Sequence, residues 1–121
     1  MKLILSVFLT TLCLLSVAAQ AADCTADPEA SKKRMSDFSL CVQQGAYSNP
    51  AYASMTDDQK MAALDNQPQC NAKFDAIMAN IMILKQCKDG KPMDPVLAKD
   101  IGNKLKKSIY GVIVKSSASV Q

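Results

Sequence analysis

The residues of this chain whose type and spacing could do chemistry are four cysteines. Cys24, Cys41, Cys70 and Cys87 stand in a C-x16-C-x28-C-x16-C arrangement, and a fifth, Cys13, lies in an apolar N-terminal stretch. Thiols can ligate a metal, attack as nucleophiles or pair as disulfides. Zinc sites built from thiolates usually bring their ligands in close pairs, and no two of these cysteines are near neighbours. The chain has no histidine, which excludes His-containing zinc sites, Ser-His and Cys-His nucleophile pairs and any histidine proton shuttle. The acidic residues are nearly all aspartate, with no pair whose spacing makes a general acid and base. Asp57-Asp58 reads better as the acidic first turn of a helix. The expectation is therefore a non-enzymatic protein with no metal, no cofactor and two disulfides.

Disulfides need an oxidising compartment, and the N-terminus points to one. Lys2 supplies a positive start, Leu3 to Val17 an apolar core, and Ala18-Ala19-Gln20-Ala21-Ala22 a small-residue run. Residues 1–21 thus read as a secretory signal peptide, cleaved after Ala21 and taking Cys13 with it. Residues 22–121 read as one secreted, extracellular domain. The most apolar mature segment, Ala76 to Leu84, is about half as long as the roughly 20 residues of a spanning helix, so no transmembrane segment is expected there.

The elements that must hold the cysteines are helical. Asp27-Pro28-Glu29 offers an N-cap, a proline at the first helical position and a favourable first-turn acid. These residues open a helix over 28–44, with Met35, Phe38, Cys41 and Val42 on one face and Gly45 as its stop. Thr56 and Gln59 fit a capping box for a short helix over 56–66. A third helix, 68–88, is apolar around most of its circumference, which places it at the centre of a bundle with Asn80 in need of a hydrogen-bond partner. Gly90 stops it, and Asp94-Pro95 opens a fourth over 95–115. That helix has an apolar stripe of Leu97, Ile101, Leu105, Ile109 and Val112 or Ile113. The fold class is all-α, a small disulfide-stapled bundle of about four helices.

Helix geometry restricts the pairing. Cys70 and Cys87 lie about 25 Å apart along one helix, far beyond the roughly 7 Å that a bridge allows. The same holds for Cys24 and Cys41. Bridges must join the first helix to the third, either nested (Cys24–Cys87 and Cys41–Cys70) or parallel (Cys24–Cys70 and Cys41–Cys87). The nested set is favoured because the short second helix cannot carry the chain back along the first.

Three surfaces are candidates for function. Residues 85–121 carry eight basic and three acidic side chains, against five and eight in 22–84. Lys99, Lys104, Lys106 and Lys107 are therefore candidate contacts for an anionic surface, whose alternative is a solvated helix face. Tyr47 and Tyr52, in the irregular stretch around Asn49-Pro50, are candidate loop contacts, whose alternative is a lid on the core. Met35, Met55, Met61, Met78, Met82 and Met93 suit an adaptable cavity for a small apolar ligand, whose alternative is ordinary core filling. Nucleic acid is not expected, because the basic residues form no arginine cluster and have no interleaved aromatics. The main reading is a secreted binding or effector-like protein acting through its surface on an unidentified extracellular protein. The alternatives are a carrier of small apolar ligands and a membrane-active protein using the cationic fourth helix.

Overall fold

The computed structural model describes residues 24–119, with side chains through Ser116; the signal-peptide reading of residues 1–21 lies outside the described residues. Four helices run in order, α1 (Pro28–Tyr47), α2 (Asp57–Asp65), α3 (Asn71–Asp89) and α4 (Pro95–Ser119), with single 3-10 turns at Tyr52–Ser54 and Pro68–Cys70. The all-α, disulfide-stapled bundle is the observed architecture.

Local chemistry explains the starts. Asp27 Oδ1 accepts from the Ala30 amide at 3.2 Å, with Pro28 in the first turn. At α2, Thr56 and Gln59 exchange both bonds of a capping box, Thr56 N–H to Gln59 Oε1 at 2.9 Å and Gln59 N–H to Thr56 Oγ1 at 3.3 Å. Asp94 Oδ1 accepts from Val96 N–H at 2.8 Å beside Pro95. Gly90, at φ 74°, closes α3 in the left-handed conformation that glycine adopts without steric penalty.

The expected stop at Gly45 is passed. The helix continues to Tyr47, because Gly45 has ordinary helical dihedrals and marks a close approach instead: a Cβ there would overlap the side chain of Gln67. The turn itself belongs to Asn49-Pro50, where Asn49 Oδ1 accepts from Ala51 N–H at 3.0 Å.

Cys24–Cys87 and Cys41–Cys70 are the bridges, with Cα separations of 5.7 and 5.9 Å, so α1 and α3 run antiparallel and the nested pairing holds. Asn80 finds Ser31, whose hydroxyl donates to its Oδ1 at 3.4 Å. Phe38 stands at the middle of the core, with ring centroids 5.1 Å from Phe74 and 6.3 Å from Tyr110. Val42, Leu64, Cys70, Ile77, Ile113 and Val114 close around these rings.

The central position expected of α3 is corrected. Phe74 and Ile77 are buried, but Ala72, Ala76, Ala79, Met82 and Ile83 are exposed. α2 is too short to flank α3, so α3 packs chiefly on α1 and meets α4 near Gly102, leaving its remaining apolar side uncovered. α4 is also rotated from expectation. Gly102, Tyr110, Ile113 and Val114 take its buried positions, whereas Leu97 and Val112 of the expected stripe are exposed and Ile101, Leu105 and Ile109 are half-buried.

Candidate functional site

Rotation of α4 leaves a groove where it passes α1. Met35 from α1 and Leu105, Ile109 and Val112 from α4 make an apolar trough, with Ser36, Ser39 and Ser108 along its rim and Lys32 at one end; its volume is about 410 Å³. Only these two helices contribute, and each does so from one face, because the four α1 positions recur at i, i+3, i+4 and i+7, as do the four on α4. Val112 is 66% exposed, so a large apolar side chain stands on the lip without a neighbour to cover it. Inside the trough, Met35, Leu105 and Ile109 rest against the core from its outer side.

A second cleft, about 370 Å³, lies between α2 and α4 and is lined by Met61, Ala62, Asp65, Asn103, Lys106, Lys107 and Tyr110. The Tyr110 hydroxyl donates to Asp65 Oδ1 at 3.1 Å, and Lys106 Nζ lies 3.9 Å from the same oxygen. Burial, and then the charge and hydrogen bond of Asp65, hold the Tyr110 pKa well above the ordinary tyrosine range. That direction is the opposite of what an activated phenolate needs, so the contact reads as a clamp between helices. A third depression, shallow and about 670 Å³, runs from Asn49, Ala51 and Ser54 across the outer face of α2.

No family model, curated protein or solved structure matches this chain. Among the described residues there is no cluster of metal-ligating side chains, and no helix is long and apolar enough to cross a membrane.

The four candidate lysines of α4 are not gathered on one face. Lys99 and Lys106 are seven residues apart and share a side, but Lys107 lies about 100° and Lys104 about 160° round the helix from Lys106. Lys104 is engaged with Asp100 at 2.9 Å, an exposed i,i+4 pair that raises the lysine pKa through its hydrogen bond and charge. Lys106 is turned inward, its ammonium 4.6 Å above the Phe74 ring and near Asp65. Lys99 and Lys107 stay exposed.

The two tyrosines separate as well. Tyr52 is buried in the core, covered by the stem of Lys60 with its ammonium 5.6 Å from the ring centroid, whereas Tyr47 ends α1 and is 46% exposed. Their ring centroids lie 5.0 Å apart, so Tyr47 is the outer half of a pair that anchors the 48–56 connection. The methionines are dispersed: Met35, Met55, Met61 and Met78 pack at the edge of the core, Met82 is exposed and Met93 is buried in the α3–α4 connection.

The groove itself is absent from the sites that sequence reasoning selects, although its residues are in view there. Leu105, Ile109 and Val112 are apolar at helical spacing, and that spacing alone assigns them to the core. The signal for a rotated helix is a competing inward line, Gly102, Lys106, Tyr110, Ile113 and Val114, which includes the third tyrosine and one lysine.

Proposed function

We propose that this chain is a secreted, non-catalytic binding protein that acts through its surface, with the groove between α1 and α4 as its recognition site. The single observation carrying the reading is the apolar line Leu105–Ile109–Val112, half-buried at its first two residues and exposed at Val112, which walls an open trough beside Met35. Exposed apolar surface is costly to leave bare, and where it is concave and rimmed by polar groups it is a common feature of binding sites. A signal-like leader and an even set of bridged cysteines support an extracellular setting. The membrane-active alternative draws less support, because only Lys99 and Lys107 of its four lysines are free to meet an anionic surface together.

The test is binding of the neutral apolar dye N-phenyl-1-naphthylamine to the folded, oxidised protein. Saturable fluorescence is expected, with chemical-shift changes confined to the methyl groups of Met35, Leu105, Ile109 and Val112, and it is expected to vanish in Val112→Glu. A dye that does not bind, or that binds equally well to Val112→Glu, removes the groove as the recognition site.

A further inference from the structure

We infer that the α1–α4 groove takes a medium-chain monocarboxylate, its alkyl chain along Met35, Leu105, Ile109 and Val112 and its carboxylate at Lys32. This inference rests on the groove being the recognition site. Three properties of the walls carry it.

The first is hydrogen bonding. Lys32 to Ser39 and Leu105 to Val112 lie inside α1 and α4, away from the first and last turns, so their backbone N–H and C=O groups are already paired within each helix. An extended peptide laid in the groove would find no backbone partners, and its amides would sit unpaired against apolar side chains. A ligand without amides along its length has no such penalty.

The second is size. From Lys32 to Ser39 the groove runs about 10 Å along α1, and its volume is about 410 Å³. A helical ligand is itself about 10 Å across and would rest on the lip instead of filling the trough. An alkyl chain is narrow enough to lie within it, with a medium-length chain bringing its head group out to the Lys32 ammonium at the end of the trough, and the unbranched thioether of Met35 adjusts to a flexible guest.

The third is charge. Among the described residues, Lys32 is the one charged side chain lining the groove, and it has no ion-pair partner there. Ser36 stands one turn beyond it, and Ser39 and Ser108 add hydroxyl donors along the rim. Ser39 accepts from Gln43 Nε2 at 3.2 Å and keeps its own proton to donate. One cation, three hydroxyls and no carboxylate complement a head group with a single negative charge. A zwitterionic phosphocholine would lack an acid for its ammonium, and a dianion would lack a second cation.

The experiment is displacement of the bound dye from the full oxidised protein by laurate, dodecanol and dodecylphosphocholine. Laurate is expected to displace the dye most strongly. Lys32→Ala should weaken laurate about fivefold while leaving dodecanol unchanged, as expected for one partly exposed ion pair. Ser108→Phe, which fills the groove from an exposed position, should weaken both at least tenfold and provides a second variant should Val112→Glu disturb folding. Dye that binds in the groove but is not displaced by laurate overturns the monocarboxylate and leaves the recognition site standing; dye that does not bind removes the site itself. Stronger displacement by dodecylphosphocholine, or equal loss of laurate and dodecanol in Lys32→Ala, overturns the assignment of the head group.

Discussion

Tyr110 and Asp65, 45 residues apart in sequence, are joined by a hydrogen bond of 3.1 Å from the tyrosine hydroxyl to Asp65 Oδ1. The bond ties the middle of α4 to the last residue of α2. A nine-residue helix has little stability of its own in water, so α2 depends on such contacts for its position. Tyr110 is 4% exposed and Asp65 is an exposed acceptor, which makes the tyrosine the partner with more to lose. Tyr110→Phe is expected to lower the unfolding free energy by about 1 kcal/mol, the usual net worth of one hydrogen bond, and Asp65→Asn by less. Urea unfolding followed by circular dichroism reads both.

Alkaline pH should act through the same tyrosine. Its pKa in the folded protein is raised from 10.0, first by burial and then by the Asp65 charge and hydrogen bond. The unfolded chain therefore gives up this proton at lower pH than the folded one. The contribution to stability is complete below about pH 10 and is lost as pH rises above it. Tyr110→Phe has no proton to lose, so its stability should fall less steeply as pH rises above about 10 than that of the unmodified protein. Parallel curves for the two would remove this role.

The two bridges should differ in how readily they are reduced. Cys24 and Cys87 are both exposed, whereas Cys70 is fully buried and Cys41 is half-buried. Thiol–disulfide exchange needs a thiolate to reach a sulfur, so a mild reductant should open Cys24–Cys87 first. Differential alkylation and mass spectrometry would show Cys24 and Cys87 labelled while Cys41 and Cys70 are still bridged. Removing the inner pair with Cys41→Ala and Cys70→Ala should cost about 2 to 4 kcal/mol or more, because it frees a loop of the chain and empties buried volume at Cys70.

The glycines of the helices should respond in opposite ways. Gly111 has open space where a Cβ would go, and at Gly102 a Cβ would meet Phe74 Cζ at 3.5 Å and Met78 Sδ at 3.6 Å, ordinary contact distances. Gly111→Ala and Gly102→Ala should each raise stability by up to about 1 kcal/mol, through helix propensity and a less free unfolded chain. Gly45→Ala should destabilise, because the new methyl displaces Gln67, whose Nε2 donates to the Ala63 carbonyl at 3.0 Å and whose Oε1 accepts from Gln69 at 2.7 Å. Thermal unfolding of the three variants gives the order directly.

Much of this architecture is local and therefore readable from residues. Asp27, Thr56 with Gln59, Gly90 and Asp94-Pro95 mark helix ends through hydrogen bonds and dihedrals that span four residues or fewer, and in the folded chain each stands at the end its type implies. The short α2 favours the nested bridges without deciding them: it rises only about 14 Å, against about 30 Å for α1, but the irregular residues on either side of it are long enough to make up the difference, and the packing of α3 on α1 settles the pairing. Gly45 misleads because glycine serves both as a helix stop and as a point of close approach, and which one applies depends on Gln67, more than twenty residues away.

The candidate site is legible in the sequence only as a set of apolar residues on α4. Apolar side chains cover more of that helix than its neighbours can bury, so composition and spacing leave its rotation open. Packing decides it: Tyr110 fits against Phe38 and reaches Asp65, and Lys106 lays its charge over the Phe74 ring. Those contacts leave Leu105 and Ile109 half-buried at the edge of the core and Val112 exposed beside Met35. A helix has one axis but many possible rotations about it, and only the long-range contacts of its neighbours choose among them.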